Sequence, residues 1–470
     1  MEAERSSTAE KLLEDRPPPS DEEEEGESLG RRIWRESGKM WVVAGPAIFT
    51  RFSTFGVSVI TQAFVGHLGM ASALETLCGQ AFGAKQHHML GIYLQRSWIV
   101  LFVCSTLMIP IFIFTTPILR LLGQEELIAS MAGTVALWFI PINFSYLFSF
   151  TFQMYLQSQS KNVVITYLAA LSLALHMFFS WLMVFKLSMG VMGAMISMIL
   201  AMWIPILGQF GFVLCGGCPD TWKGFSWRAF SDLWQVIKLS LSSGAMVCLE
   251  LWYNTILVLL TGNMKNAEVE IDALSICSLN ICGWELMISV GFLAAAGVRV
   301  ANELGAGSAK AAKFSIVVVV ATSLSIGIVL FVVFLCFRGR LAYLFTESSE
   351  VADAVADLSP LLAFTILLNS VQPVLSGVAI GSGWQGIVAY VNIACYYLVG
   401  IPLGIVLGYY IGYQVKGIWI GMILGTATQT LVLVYITWRT DWDKQVALAQ
   451  ARVNKWFLPA EESNHGQHTS

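Results

Sequence analysis

The segment that decides the fold is GMASALETLCGQAFGA, residues 69–84, because it has a counterpart farther along the chain. It aligns with GFLAAAGVRVANELGA, residues 291–306, at an offset of 222 positions. A second pair, VMGAMISMIL at 191–200 and VKGIWIGMIL at 415–424, aligns at an offset of 224 and is identical at six of ten positions. Apolar helices match by chance fairly often, but two chance matches rarely occur at nearly the same offset. The sequence therefore predicts two homologous halves.

The composition around these repeats is that of a membrane protein. Of the 470 residues, 56% are hydrophobic and only 12% are charged, about half the charged fraction of an average soluble chain, and the mean hydropathy is +0.67. The formal net charge of −4 offers no basic surface to nucleic acid. A helix that crosses a lipid bilayer needs about 20 mostly apolar residues. Eleven such runs predict an all-α polytopic membrane protein, at 40–65, 94–114, 127–156, 162–185, 190–215, 233–262, 271–299, 310–337, 351–380, 386–411 and 415–437.

The two halves differ by one predicted crossing. Gly66 ends the first apolar run and Gly262 ends its counterpart, so the offset there is 196 instead of 222. The difference of 26 residues is the length of one membrane crossing, and residues 265–290 have no partner in the first half. We predict two homologous helical lobes in a 6+6 pattern, in which the first lobe lacks its second transmembrane helix. An even number of helices per half makes this a parallel repeat about an axis along the membrane normal.

The distribution of charge completes the predicted domain organisation. In the twelve-helix scheme, sixteen Lys and Arg residues fall on one side of the membrane and six on the other, so the positive-inside rule assigns both termini to the cytosol. The N-terminal segment is acidic and proline-rich, which predicts disorder. The predicted units are a disordered cytosolic tail at 1–36, an N-terminal lobe at 37–215, a cytosolic linker at 216–232, a six-helix C-terminal lobe at 233–438 and a cytosolic tail at 439–470.

Several motifs resemble those of one transporter family. ETLCGQAFGA at 75–84 together with RVANELGAG at 299–307 resembles the paired signature of the multidrug and toxic compound extrusion (MATE) transporters. CLELWY at 248–253 and DALSIC at 272–277 are similar to the plant branch of that family. The resemblance implies a fold of two six-helix lobes that exports or sequesters organic solutes, such as xenobiotics or flavonoid-like metabolites, in exchange for protons or sodium. It also implies the vacuolar membrane more than the plasma membrane.

Acidic residues within the apolar runs are the candidates for ion coupling, because ionisable groups are costly in a bilayer. Glu250 lies midway along the run 233–262, and the resemblance assigns it the role of an ion-coupling acid. Asp272 and Glu285 lie on the next run and are further candidates. A structural role remains open for each: Glu250 as a carboxylate bonded to a neighbouring helix, and Asp272 as an acid at a helix N-terminus.

Other polar residues complete the predicted site. Arg299 is a possible charge partner of an acid in the lobe, or it simply marks the cytosolic end of its helix. Four residues are candidates for lining a substrate cavity for aromatic solutes: Tyr253, Trp252, Gln153 and Asn369. No group of residues has the spacing of a metal site, and we expect neither a metal nor a cofactor.

The predicted function is that of a secondary active antiporter and not of an enzyme. A multipass membrane enzyme would need clustered polar catalytic residues in its loops, and the sequence has none. Two alternatives stay open. An anion-conducting pore would use the same cavity without coupling, and an inactive truncated isoform would follow if the shortened first lobe does not fold.

Overall fold

The computed structural model describes residues 69–121, 126–261, 282–337, 340, 343 and 348–455. Within these residues, ten helices are long and apolar enough to cross a membrane. The first lobe comprises α1 at 69–83, α2 at His87–Ile113, α3 at Thr115–Leu121, α4 at Glu126–Ser158, α5 at Asn162–Lys186 and α6 at Gly190–Phe212, which continues as a π-helical turn, Val213–Gly217.

The second lobe follows a linker that contains a short 3₁₀ helix, Trp227–Phe230. Its helices are α7 at Leu233–Thr261, α8 at Cys282–Gly305, α9 at Ala309–Cys336, α10 at Ser349–Asn369, α11 at Gln372–Ser382, α12 at Gln385–Tyr410 and α13 at Gln414–Arg439. A last amphipathic helix, α14 at Trp442–Lys455, follows the final span after a two-residue connection.

The predicted runs and the observed helices agree except at a few places. The run predicted at 40–65 and the start of the run at 271–299 lie outside the described residues. The run predicted at 351–380 corresponds to one candidate span, Ser349–Ser382, which the structure divides into α10 and α11 at Ser370 and Val371. Pro373 explains the division, because it has no N–H and is favoured in the first turn of a new helix. Ser323 on α9 donates to the Ser370 carbonyl at 2.6 Å and so satisfies an acceptor at the break.

The backbone repeats the pattern that the sequence predicted. Residues with φ between 52° and 87° recur at offsets of 222 to 224 positions. The pairs are Lys85 with Gly307, Ser160 with Gly383, and Ser188 with Gly412. Two π-helical turns, Trp181–Lys186 and Val406–Tyr410, also end at an offset of 224. The prediction of two homologous helical lobes is therefore confirmed.

The lobes meet where α1 crosses α8, and the contact is reciprocal. A methyl group at Gly83 would overlap the Asn302 carbonyl, and a methyl group at Gly305 would overlap the Gln80 carbonyl. Gly83 and Gly305 are counterparts in the repeat, as are Gln80 and Asn302. The two helices therefore touch backbone to backbone around a pseudo-two-fold axis, which only small residues permit.

Hydrogen bonds across the interface follow the same symmetry. Gln80 donates to the Gly381 carbonyl of the second lobe at 3.0 Å, and Asn302 donates to the Ser158 carbonyl of the first lobe at 3.4 Å. The two acceptors are themselves related by an offset of 223 positions. Thr76 adds a bond of 2.5 Å to the Ile380 carbonyl. Each lobe thus satisfies backbone groups of the other.

One end of the bundle carries many basic residues, and we call it the basic face. It consists of the loops 84–86, 159–161 and 306–308, the linker 218–232, and α14. Lys161 donates a hydrogen bond to the Gly217 carbonyl at 2.5 Å, and the buried Thr221 hydroxyl donates to the Gln159 side chain at 2.9 Å. The positive-inside prediction assigns this face to the cytosol.

Within the basic face, helix α14 packs on the end of the second lobe. The ring of Trp442 packs on that of Trp384 at 5.4 Å between centroids, and Trp384 donates to Gln445 at 3.0 Å. At the far end of the helix, Arg452 donates to the Gln80 side chain of the first lobe at 2.7 Å. The helix therefore links the two lobes.

Candidate functional site

Two acids of the second lobe, the partly buried Glu250 and the buried Glu285, each lie against an amide side chain. Glu250 on α7 is hydrogen-bonded by Gln372, the first residue of α11. Glu285 on α8 is 4% exposed, accepts from Ser289 at 2.6 Å and lies beside Asn369, the last residue of α10. We call these four residues, Glu250, Glu285, Asn369 and Gln372, the acid–amide cluster.

The break between α10 and α11 is what builds the acid–amide cluster. A helix interruption inside a membrane is tolerated where neighbouring side chains satisfy the freed backbone groups. Here it places Asn369 and Gln372 on either side of a turn, facing the acids of two other helices. The Gln372 amide also donates to Ser376 at 3.3 Å, which orients it. The sequence predicted the two acids as ion-coupling residues. It predicted Asn369 as a residue that lines the substrate cavity, whereas the structure places it beside Glu285. Gln372 was not predicted as an acid partner.

The remaining predicted charged residues are the ion-coupling candidate Asp272 and the possible charge partner Arg299. Asp272 lies outside the described residues. Arg299 pairs with Glu303 one turn further along α8 at 2.7 Å, and its side chain is 55% exposed. An exposed i,i+4 pair contributes little to stability. The structure therefore places Arg299 with an acid of its own helix, away from the acid–amide cluster.

Two residues predicted to line a substrate cavity lie elsewhere. Tyr253 is 1% exposed, stacks on Tyr396 at 4.2 Å between ring centroids, and donates to the Met422 carbonyl at 3.1 Å. It is part of the packed interior of the second lobe. Trp252 on α7 is 41% exposed. Neither side chain lies on the wall of the cavity described next.

Gln153 does line a cavity, in the first lobe. The cavity has a volume of about 430 Å³ and lies between α4, α5 and α6, with Tyr146, His176 and Gln209 among its walls. Gln209 is 5% exposed, and its Oε1 has no hydrogen-bond partner among the described residues. The described lining contains no Asp, Glu, Lys or Arg. Its size is typical of a small-molecule pocket, and its polar groups suit a neutral ligand that donates and accepts hydrogen bonds.

The sequence interpretation missed an acid at the lobe interface. Glu75 on α1 is 0% exposed, and neither carboxyl oxygen has a partner among the described residues. A methyl group at Gly297 on α8 would overlap its Oε1. Gly297 is also the repeat counterpart of Glu75. An acid in one half that aligns with glycine in the other is the signal that would have found it.

Arg452 is a second residue that the sequence interpretation missed. Its helix, α14, fell within the segment predicted only as a cytosolic tail. Burial lowers the pKa of the Arg452 guanidinium from its usual value, with the neighbouring Tyr93 acting in the opposite direction. A guanidinium nevertheless keeps its charge in proteins. Its bond to Gln80 is therefore charge-assisted and stronger than a bond between neutral groups.

Comparison with known proteins identifies the family to which this two-lobed arrangement belongs. The family described as MatE matches twice, over residues 52–182 and 243–406, once in each half. The chain belongs to the MatE family. A eukaryotic MATE transporter, AtDTX14, has a similar structure, with a TM-score of 0.78 and 32% identity over 90% of this chain and 99% of that one.

Several curated relatives of this MatE chain are plant proteins. Protein DETOXIFICATION 21 of Arabidopsis thaliana is 61% identical, and the match covers 93% of this chain and 93% of the relative. Protein DETOXIFICATION 20 of the same plant is also 61% identical, over 93% and 94%. The MATE transporter ClbM, solved in complex with Rb⁺, shares only 16% identity with a TM-score of 0.68 and supports the fold alone. This MatE chain is a multi-pass membrane transporter.

The same comparisons bear on the length of the first lobe. The first MatE match spans 131 residues and the second 164. The alignment with DETOXIFICATION 21 has 462 positions but covers 93% of the 470 residues, about 437, so about 25 positions have no residue here. The alignment difference is close to the predicted gap of 26 residues, and the first MatE match is shorter than the second by 33 residues. Helix α1 matches only the 291–305 portion of α8.

Proposed function

We propose that this protein is a secondary active antiporter that moves organic solutes, such as xenobiotics or flavonoid-like metabolites, in exchange for protons. The observation that carries the proposal is the acid–amide cluster. Acids inside a membrane protein are costly and mark ion pathways. The second lobe has two such acids, each beside an amide. These acids can gain and lose a proton inside the protein.

The amide partners suit acids that bind and release protons. A glutamine or asparagine side chain has both a donor NH₂ group and an acceptor carbonyl. Gln372 can therefore donate to an ionised Glu250, and it can accept a hydrogen bond from the same acid after protonation. Glu250 therefore has a hydrogen-bond partner in both states. Asn369 offers Glu285 the same two kinds of group, in addition to the hydroxyl of Ser289.

The break between α10 and α11 connects this chemistry to movement. Both amides flank the break, so a change in charge on either acid acts where the backbone is free to bend. Rocking of one lobe against the other around a central site is a common mechanism of secondary transporters. In this proposal, proton binding in the second lobe biases that movement.

The cavity of the first lobe is the proposed site of the organic solute. Its described lining combines aromatic and aliphatic surface with the amides of Gln153 and Gln209 and the imidazole of His176. A neutral aromatic solute with hydroxyl groups fits this lining better than a cationic one, which would need an acidic partner. We propose the vacuolar membrane as the location, which the DETOXIFICATION relatives do not determine.

The proposal is tested by proton-driven transport. The purified protein is reconstituted in proteoliposomes, a pH gradient is imposed, and uptake of a flavonol aglycone is measured. We expect Glu250→Gln to lower the uptake rate at least tenfold because the acid can no longer exchange a proton. Glu350→Gln, an exposed acid on α10, is the matched control and should retain uptake.

The result also separates the antiporter from an anion-conducting pore. A pore has no coupling step, so Glu250→Gln would leave the solute flux unchanged and independent of the gradient. That outcome would contradict the proposal. The third candidate is an inactive truncated isoform, and the short first half favours it. It is tested by measuring on which side of the membrane the N-terminal tail and Lys85 lie.

A further inference from the structure

Glu75 lies outside the acid–amide cluster but close to it along one helix. Glu250 is bonded by Gln372 at the start of α11, whereas the Glu75 carboxyl lies against Gly297, at a point 3.3 Å from the carbonyl of Gly377 in α11. Five residues of α-helix correspond to about 7.5 Å along the axis. Glu75 is therefore displaced from the cluster towards the basic face, at the surface where the lobes meet.

The carboxyl group of Glu75 is enclosed by backbone of the second lobe. It occupies the space that a side chain at Gly297 would fill, and the Gly377 carbonyl lies 3.3 Å from that same point. Among the described residues, neither α8 nor α11 provides a hydrogen-bond donor to the Glu75 carboxyl group. The neighbouring contacts of α1, from Thr76 and Gln80 to α11, close the interface on one side.

A carboxylate enclosed in this way is strongly unfavourable, because a buried charge needs a partner or a hydrogen bond. A neutral carboxyl group is much less costly to bury. When the lobes are together, as they are here, the enclosure therefore favours the protonated form of Glu75. When they separate, water reaches the group and it can ionise.

Among the described residues, the charged side chains of the neighbouring helices have other partners. Helix α11 has no ionisable residue, and on α8 Arg299 pairs with Glu303 while Glu285 belongs to the acid–amide cluster. On α7 Glu250 is bonded by Gln372, and on α14 Arg452 is bonded to Gln80. Of the other ionisable residues, Arg96 on α2 donates to the Arg228 carbonyl of the linker. Cys78 on α1, Tyr93 on α2 and Tyr396 on α12 are residue types that are ordinarily neutral at pH 7.

We propose that Glu75 is a proton-binding site that couples closure of the lobe interface to protonation. It takes up one proton as α1 docks on α8 and α11, and it releases that proton as the lobes part. Because the open state binds fewer protons, a rise in pH at the basic face favours opening, and a fall favours closure. The inference rests on the proposed alternation of the two lobes.

The test measures interface opening directly as a function of pH. After replacement of the native cysteines, spin labels are placed at Lys85→Cys and Lys310→Cys, two exposed positions on opposite lobes. Distance distributions are recorded by electron–electron double resonance between pH 5 and pH 9. We expect the population with the short distance to fall as the pH rises. We expect Glu75→Gln to hold that population constant, since the amide is neutral at every pH.

A second variant keeps the inference testable if Glu75→Gln is poorly folded. Gly297→Ala places a methyl group on the Glu75 carboxyl, so we expect the long distance at every pH. Adding Glu75→Ala removes the overlap and should restore the short distance without pH dependence. Gly291→Ala on the same helix, where a methyl group meets open space, is the matched control. An unchanged pH response in Glu75→Gln, or no rescue in the double variant, would overturn the inference.

Failure of the proposed function would look different. In Glu250→Gln, proton-driven transport should be lost while the pH-dependent distance change persists. If the distance change persists but the unmodified protein shows no proton-driven uptake, the antiporter proposal fails and the Glu75 inference stands.

Discussion

At the residue scale, glycines determine how closely the lobes approach. Gly83 and Gly305 let α1 and α8 touch through their backbones, and any side chain at either position would overlap a carbonyl oxygen. Backbone cannot move aside as the end of a flexible side chain can. The two glycines are thus required by packing and not by backbone conformation.

We expect Gly83→Ala to destabilise the protein by about 1–3 kcal/mol, the usual cost of overpacking. Thermal unfolding in detergent, followed by tryptophan fluorescence, measures the effect. Gly211→Ala on α6, where a methyl group has no neighbour within 4 Å, is the matched control. Equal melting temperatures for the two variants would show that the backbone contact between α1 and α8 contributes nothing.

At the element scale, α14 is the helix with the clearest separate role. It lies outside the membrane spans, yet Trp442 is 2% exposed, Ala449 is 2% exposed and Val453 is 3% exposed. Burial of these side chains fixes the helix to the second lobe, and Arg452 extends its reach to the first. A helix anchored in one lobe and bonded to the other stabilises the arrangement in which both are together.

We expect Trp442→Ala to detach α14, because truncation of a buried tryptophan costs about 3–5 kcal/mol. Limited proteolysis with trypsin reports the change as faster cleavage at Lys444. Trp438→Ala is the control, since this neighbouring tryptophan is 78% exposed and makes little contact. Unchanged cleavage in Trp442→Ala would mean that other contacts hold the helix.

At the scale of the whole molecule, the length of the first half decides whether transport is possible. The predicted arrangement places both the N-terminal tail and the loop at Lys85 in the cytosol, which requires two crossings between them. The chain has about 45 residues between Lys39 and Lys85, and two full crossings would need about 40 of them to be apolar. Polar residues such as His67 and Glu75 fall within that stretch.

Sidedness can be measured with single cysteines. One is introduced in the N-terminal tail at Ser20 and another at Lys85, in a protein without native thiols, and both are labelled in intact vesicles with an impermeant reagent. We expect both sites to be labelled from the same side. Labelling from opposite sides would contradict the antiporter and support the inactive truncated isoform.

The sequence was sufficient for the fold and for part of the candidate site. Apolar run length and the internal repeat predicted the helices and two lobes, and depth within a run drew attention to Glu250 and Glu285. Lateral contacts were not predictable in this way. Thr76 bonds Ile380 across 304 residues, and Glu75 owes its enclosure to the other lobe. Tyr253 and Trp252 show the same limit, since hydropathy does not tell which face of a helix meets a cavity.

The pairing of Glu75 with Gly297 has a consequence for how the two halves diverged after duplication. A protein built from two copies of the second half would have glycine at both places, and its closure would ignore acidity. One built from two copies of the first half would press two acids together and repel itself at neutral pH. Only the unequal pair yields one titrating group in a nearly symmetric joint. In the proposal made here, the difference between Glu75 and Gly297 gives the lobe interface a proton-binding site that neither half would provide if it were paired with its own copy.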